Sequence, residues 1–294
     1  MRLLDPPVLT EEEWTVREAA HRRRVDAWVL PHQQRRRAGR THPVWDFLFT
    51  YYSQTPGRLR RWHPGLGTVL SGPAAEARLS WPFHVRVASG VTVDVDAFLT
   101  RRSTAVGWVH GLLSATAGRT PQFGCFGLHE WAMLYRPGAG EVRHEQLPLR
   151  LGQAGTDAVV ESHRVQCSHV DAHRFFTRAG APRNTLAPTR ETQQQLEQPG
   201  CLHATMDLYK WAYKLSPAVP GELLADCFEL AADVRELDMR ASPYDLGALG
   251  WAPVAIETPE GKAEYVAAQR GFAARGATLR VRLLDVCRTL LDDR

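Results

Sequence analysis

The chain has 294 residues, of which 44% are hydrophobic and 23% are charged, a balance that is ordinary for a globular protein with a sizeable core. No apolar run is long enough to cross a bilayer, and the first residues lack the apolar segment of a signal peptide, so we expect a cytoplasmic protein without a membrane partner. The five cysteines include no CxxC pair, which argues against a disulfide framework or a ribbon-type zinc site.

The positive charge of the chain comes from arginine, because lysine occurs only at positions 210, 214 and 262. Arginine triplets at 22–24 and 35–37, together with Arg58, Arg60 and Arg61, concentrate this charge in the first quarter of the sequence. The guanidinium group is suited to bidentate phosphate contact, so these residues are candidates for binding nucleic acid. A solvated helix face is the alternative explanation for each triplet.

The N-terminal part predicts two helices. Thr10 and Glu13 have the spacing of a capping box, and the amphipathic run that follows them extends to about Arg37. Thr41, with a proline two positions later, is a cap for a second helix, in which apolar and aromatic residues recur at helical spacing until Pro56.

Residues 66–95 carry the clearest strand pattern. Apolar and polar residues alternate with period two over 84–87 and 91–95, on both sides of a glycine-containing turn, which predicts an antiparallel hairpin at about 83–95. The helical pattern returns from Asp96 to about Thr116.

A glycine-rich segment then leads into a short apolar helix within Phe123–Met133, and this helix carries the adjacent pair His129 and Glu130. Two ionisable groups in so apolar a run need polar partners if they are buried. We therefore expect the pair to face an internal polar site, where Glu130 would have a raised pKa and serve as general base.

The segment 163–207 is rich in side chains that bind metals or move protons near neutral pH. A short β-like piece is expected at 158–167, and the pattern over 165–171 fits either an extended chain or a helix. Residues 201–214 have the pattern of one helix. The cluster consists of His163, Cys167, His169, Asp171, His173, Cys201, His203 and Asp207.

Buried imidazoles and carboxylates need hydrogen-bonding or metal partners, and the two halves of this cluster are the nearest sources of partners for each other. We therefore predict that His169, Asp171 and His173 converge with His203 and Asp207 on a single site, with the His169 and His203 side chains less than about 12 Å apart.

The remaining elements are an amphipathic helix over 221–240, with an acidic stripe on its outer face, and a long terminal helix from Thr258 to about Leu291. We expect one mostly α domain over 1–294, a compact helical domain with a small antiparallel β-hairpin insert. Its parts are an N-terminal helical part at 10–65, the β insert at 66–95, and a helical core with the His/Asp cluster at 96–294.

Three phrases carry a resemblance to a known family, at positions 46–53, 124–133 and 201–211. Over about residues 10–290 the chain resembles an actinobacterial family that is commonly labelled 3-methyladenine DNA glycosylase. The resemblance implies an enzyme of base-excision repair that removes alkylated purines and has alkylated DNA as its partner. Such an enzyme needs an aromatic pocket for the flipped base, a carboxylate, and basic groups for the phosphates.

Three functions therefore remain open: a glycosylase, a metal-dependent enzyme, and a nucleic-acid-binding protein without catalytic activity, which the arginine content supports. For a glycosylase, the candidate catalytic residues are Glu130, Asp171, Asp207 and His129, and the candidate phosphate-binding residues are Arg174, Arg190, Lys210 and Lys214. The alternative is an enzyme that acts on a small molecule through iron, manganese or zinc. Its candidate metal ligands are His169, His173, His203 and His163, with Asp171 as a carboxylate ligand.

Overall fold

The computed structural model describes residues 6–138, 140–141 and 146–292. Helices account for 57% of these residues and the strands form one small sheet, which confirms the predicted mostly α fold with a small β insert. Within the described ranges, no helix has the length and apolar character needed to span a membrane. The α-helices are α1 (Glu11–Arg37), α2 (Phe47–Thr50), α3 (Pro56–Leu59), α4 (Val95–Ala117), α5 (Leu128–Ala132), α6 (Gly152–Ser162), α7 (Val170–His173), α8 (Gln193–Leu196), α9 (Leu202–Met206), α10 (Leu208–Lys214), α11 (Gly221–Arg240) and α12 (Pro259–Asp292).

The sheet contains the predicted hairpin and two further short strands. The strands are β1 (Val8–Leu9), β2 (Val69–Leu70), β3 (His84–Val87) and β4 (Gly90–Val93), in the order β1-β2-β4-β3. β3 and β4 are antiparallel, as expected, whereas β1 pairs with β2 in parallel. Gly90 has φ 146°, and a Cβ atom there would lie 2.0 Å from the Leu70 carbonyl oxygen, so only glycine lets the two strands approach.

The first helix begins and ends close to its predicted limits. The Thr10 hydroxyl accepts a hydrogen bond from the Glu13 amide, and the Glu13 carboxylate accepts one from the Thr10 amide at 2.8 Å, so the predicted capping box is confirmed. The buried residue Trp14 packs with Trp62 and Val91 in an apolar cluster.

Two expectations for the N-terminal part were wrong. The second helix extends only over α2, because the Nδ1 atom of His42 accepts from the amides of Val44 and Trp45 at 3.3 Å and keeps this segment in a turn. Pro56 begins α3 behind the cap Thr55, whereas its sequence position suggested that it ends a helix.

Two further local predictions were also wrong. The β-like piece at 158–167 begins inside α6, where Thr156, Val159 and Val160 are buried at helical spacing. The chain is extended at His163, which follows α6, and at His169, which precedes α7. The segment 165–171, for which the pattern fitted either conformation, therefore ends in the helix α7. The single helix expected over 201–214 is divided into α9 and α10 at Asp207.

The chain divides into two compact units. The first comprises the described parts of Met1–Gly111, Leu208–Glu229 and Leu279–Arg294, and the second those of Leu112–Asp207 and Leu230–Thr278. The expectation of one domain over 1–294 stays a prediction. The core of the first unit includes Trp14, Trp62, Leu70, Ala75 and Val91. Buried side chains of the second unit include Leu128, Trp131, Val160, Val165, Leu202, Ala231 and Tyr265.

The capping box gives a test of the fold. Thr10→Ala removes the acceptor of the Glu13 amide and should lower the free energy of unfolding by about 1 kcal/mol. Glu12→Ala, on the exposed side of the same turn, should lower it by only a few tenths of a kcal/mol. Urea unfolding followed by circular dichroism measures both, and equal losses would contradict the capping role.

Candidate metal centre

The centre begins at α5, where a glycine with positive φ precedes two buried ionisable side chains. Gly127 precedes the helix with φ 73°, and a Cβ atom there would lie 3.3 Å from the Tyr265 ring and 3.4 Å from the Ala241 methyl group. The chain therefore enters α5 tightly packed, and both His129 and Glu130 are buried, at 3% and 6% exposure. The prediction that this pair faces an internal polar site is confirmed.

Helix α11 supplies the partners of that pair. Asp238 Oδ1 accepts a hydrogen bond from His129 Nε2 at 2.7 Å. The Arg235 Nη1 group donates to Asp238 Oδ2 and to Glu130 Oε1, at 3.0 Å each. Asp238 is thus held between a histidine and an arginine, and all four groups are buried.

A second histidine, His203 of α9, lies against His129. Their ring centroids are 4.5 Å apart, and the planes are nearly perpendicular, at 80°. His129, Glu130, His203 and Asp238 each offer one ligand-type atom, and these atoms lie within 4.8 Å of one another. Two imidazoles and two carboxylates therefore share one buried volume.

Burial and mutual contact set the charges of this group. Burial acts to lower the pKa of His129, but the Asp238 carboxylate outweighs it and raises that pKa well above its ordinary value. Asp238 in turn has a pKa well below its ordinary value, because the His129 charge outweighs the effect of burial. Burial, followed by the charge of Asp238, raises the pKa of Glu130, as predicted.

The pKa of His203 is shifted in the opposite direction to that of His129. Burial first, and then the nearby charge of His129, lower its pKa to about 3. The ring is therefore neutral at physiological pH, and its Nδ1 atom is buried without a hydrogen-bond partner among the described residues. A neutral imidazole with an unused nitrogen is the form that binds a metal ion.

A third histidine extends the group. The His169 ring lies 5.3 Å from that of His203 and is nearly parallel to it, at 27°. Its Nε2 atom is 3.3 Å from Asp207 Oδ2 and 3.8 Å from Glu197 Oε2, and all three side chains are buried. Neither nitrogen of His169 has a partner with hydrogen-bond geometry among the described residues. The predicted convergence is thus confirmed for His169 with His203 and Asp207, well inside 12 Å, but among the described residues neither Asp171 nor His173 belongs to the group of ligand-type atoms that contains His203.

Of the four histidines expected as metal ligands, only His203 belongs to the group of four among the described residues; His169 lies beside it, and His163 and His173 have other contacts. The His173 ring packs against Phe176 at 4.9 Å and is only half-buried. The His163 Nδ1 atom lies 2.7 Å from the Val159 carbonyl oxygen at the end of α6. Among the described residues, neither belongs to a group of potential ligands within 4.8 Å of one another.

Asp171 forms ion pairs with the two arginines that were expected to bind phosphate, and Arg190 also donates to Gln193, which in turn donates to Glu197 beside His169. The Asp171 Oδ1 atom lies 2.5 Å from Arg190 Nη2 and 3.5 Å from Arg174 Nε. The carboxylate is buried, whereas both guanidinium groups are about half exposed. The Arg174 guanidinium also lies 4.5 Å from the centre of the Phe175 ring.

The two lysines expected to bind phosphate lie in the other unit. Lys210 places its Nζ atom 4.5 Å from the centre of the Trp211 ring, and Lys214 is an exposed residue at the end of α10. Both belong to the unit that contains Leu208–Glu229, whereas the carboxylates of the centre belong to the second unit.

A small pocket reaches the centre at His129. Its cavity volume is about 10 Å³, close to the minimum for one ordered water. Burial raises the pKa of Cys167 and of Cys201, so these thiols are protonated, while the Cys125 sulfur lies 3.4 Å from His129 Nδ1. The lining residues are Cys125, His129, Gln166, Cys167, Ser168, Gln198, Cys201, Leu202, Tyr265 and Gln269.

Sequence reasoning missed Arg235, Asp238 and Glu197. Arg235 and Asp238 occur four and seven residues after Ala231, on the stripe of α11 that was correctly expected to face inward. Charged residues on an apolar helix stripe indicate buried partners, and this signal was available in the sequence. Glu197 occurs in a polar segment and has no such signal.

Comparison of the chain with protein-family models, with curated proteins and with solved structures found no match. The geometry of the site therefore carries the functional argument.

The buried arginine gives a stability test. Arg235→Met should lower the free energy of unfolding by about 3–5 kcal/mol, because it leaves the buried Glu130 and Asp238 carboxylates without their cation. The matched control is Arg275→Met, which breaks the half-exposed pair with Asp233 and should cost less than about 1 kcal/mol. Denaturant unfolding of both variants measures the difference, and losses of similar size would disprove the role assigned to Arg235.

Proposed function

We propose that this protein is a metal-dependent enzyme that acts on a small molecule, with one divalent ion held by His129, Glu130, His203 and Asp238. The observation that carries the proposal is the convergence of four ligand-type atoms within 4.8 Å in a fully buried site. The unpartnered Nδ1 atom of the neutral His203 ring supports it, because a buried polar atom without a partner is costly unless something binds there.

The donor set suits iron, manganese or zinc. Imidazole nitrogens and carboxylate oxygens bind these ions at about 2.0–2.2 Å, and a group that spans 4.8 Å can close on one ion with small side-chain movements. Arg235 balances part of the carboxylate charge and holds one oxygen of Glu130 and one of Asp238 in place. Such contacts around a metal orient its ligands.

The bound ion would supply a Lewis acid that lowers the pKa of water or polarises a substrate oxygen. The pocket at His129 has room for about one water, which suits this chemistry. The role of general base that we expected for Glu130 stays a prediction, because its carboxylate accepts from Arg235 and would also bind the ion. The five cysteines are free thiols, which fits our proposal of a cytoplasmic location.

Base excision is the second candidate function, and Asp171 is the observation that favours it. This buried carboxylate pairs with two half-exposed arginines, and one of these, Arg174, lies over the Phe175 ring. A carboxylate, cations that can bind phosphate and an aromatic ring therefore occur together, as base excision requires. Release of 3-methyladenine from alkylated DNA by the wild type, lost in Asp171→Asn, would establish it. Absence of release would remove this candidate.

Metal analysis tests the main proposal. Protein purified without a His-tag and reconstituted with Fe²⁺, Mn²⁺ or Zn²⁺ should bind about one equivalent of one of these ions. His203→Ala and Glu130→Gln should weaken this binding at least tenfold, because each removes a ligand.

His163→Ala and His173→Ala are the matched controls, since both histidines lie outside the ligand group. These variants should bind the ion like the wild type. Unfolding curves recorded on every variant separate loss of the ion from loss of the fold. A wild type that binds none of the three ions, or controls that lose the ion equally, would refute the proposal.

The affinity for the ion should also depend on pH. His129 has a raised pKa and is protonated near neutrality, so the ion must displace its proton, whereas the His203 ring is already neutral. Below the pKa of His129, the dissociation constant should fall about tenfold for each unit of pH increase. Calorimetry in buffers of different ionisation enthalpy should record release of about one proton per ion. An affinity that is constant between pH 6 and 8 would contradict this assignment.

A further inference from the structure

A second pocket lies in the unit that contains Met1–Gly111, and the metal centre contributes nothing to it. Its volume is about 310 Å³, within the range of pockets that hold small molecules. It is lined by Ser53, Gln54, Arg58, Arg61, His63, Trp81, Pro82, Phe83, Arg102, Tyr213, Lys214, Ser216, Pro217 and Leu224.

The charge of this lining is of one sign. Arg58, Arg61, Arg102 and Lys214 are cations, and no lining residue carries a carboxylate. Elsewhere in the same unit arginines are paired, as Arg17, Arg24, Arg60, Arg78 and Arg86 are with acidic side chains. Within the described part of the chain, Arg58, Arg61 and Arg102 form no ion pair. Several unneutralised guanidinium groups around one pocket favour a ligand with a phosphate group.

The remaining wall is aromatic. The Trp81 ring lies beneath the guanidinium groups of Arg78 and Arg61, at 4.1 and 4.9 Å from its centre, which fixes the indole at the pocket. The Tyr213 hydroxyl is 3.3 Å from the Ser53 hydroxyl. Phe83 has φ 63°, a conformation that is strained for a phenylalanine and that occurs at ligand-binding positions. Aromatic rings beside arginines that can bind phosphate suit a ligand that carries both a phosphate and a planar base.

His63 also lines the pocket. Burial first, and then the nearby His84 and Arg78, lower the pKa of His63 to about 3, so its ring is neutral. Its Nδ1 atom is shielded from solvent and has no hydrogen-bond partner among the described residues. The uncharged ring therefore adds no charge to the wall of the pocket.

From the three arginines Arg58, Arg61 and Arg102 and the aromatic wall, we propose that this pocket binds one nucleotide unit, with the phosphate on the arginines and the base against Trp81. The same chemistry is present in a free mononucleotide and in a nucleotide of a single strand. The pocket volume fits one such unit.

The test compares a mononucleotide with ligands that lack either its phosphate or its base. Quenching of tryptophan fluorescence, with calorimetry, measures binding of adenosine 5′-monophosphate, adenosine, ribose 5-phosphate and a single-stranded decanucleotide. The mononucleotide should bind at least tenfold tighter than adenosine, which lacks the phosphate, and than ribose 5-phosphate, which lacks the base. Tight binding of the mononucleotide identifies a free nucleotide as ligand, whereas binding of the decanucleotide alone identifies a strand.

Substitutions test whether the nucleotide binds in this pocket. Arg61→Ala and Arg102→Ala should each weaken binding at least tenfold, and both residues are exposed, so the fold should be retained. Trp81→Leu should abolish the preference for the mononucleotide over ribose 5-phosphate. Arg17→Ala, which removes an exposed arginine that is paired with Glu222, and Glu130→Gln, in the metal centre, should leave binding unchanged.

Three outcomes would overturn the proposal. The first is the absence of binding by both the mononucleotide and the decanucleotide at millimolar concentration. The second is equal binding of ribose 5-phosphate and the mononucleotide, which would leave a simple anion site. The third is binding that survives Arg61→Ala and Arg102→Ala unchanged. None of these outcomes depends on the metal centre.

Discussion

The candidate centre depends on the Asp238 carboxylate, which is held between His129 and Arg235 in the interior of the second unit. A buried carboxylate is costly unless both of its oxygens have partners, and here one oxygen accepts from an imidazole and the other from a guanidinium group. The same guanidinium nitrogen reaches Glu130, so α5 and α11 are joined by a single chain of charged contacts. Removal of one member would leave the others buried without compensation, which makes this group the electrostatic core of the site.

The histidines around this chain differ in charge although they are neighbours. His129 faces Asp238 directly and retains its proton, whereas His203, 4.5 Å away, is buried against a charged ring and loses its proton. Environments that separate the pKa values of adjacent groups are typical of sites that move protons or bind metals. His169, with Asp207 and Glu197 beside it, continues the polar volume and gives it a carboxylate-rich side.

The two units place charge in opposite ways. In the second unit, cations and carboxylates lie inside and compensate each other over distances near 3 Å. In the first unit, the acidic residues Asp226 and Glu229 of α11 are paired with Arg24, while Arg58, Arg61 and Arg102 surround a pocket without a carboxylate. A paired charge stabilises a fold only slightly at the surface, whereas an unpaired one is available to a ligand.

The sequence determined the long elements and the composition of the centre. The capping box before α1, the apolar stripe of α11 and the alternation in β3 and β4 are local patterns, and each was confirmed because local propensity and burial agree there. His129, Glu130, His169, His203 and Asp207 were also named in advance, since ionisable groups in apolar or histidine-rich segments need partners. Only the tertiary structure decided which partners they have. Asp238 lies 109 residues from His129 in the sequence. His163 and His173 lie at the ends of α6 and α7, and neither belongs to the ligand group of the centre. Such pairings depend on the packing of distant helices, which no local spacing encodes.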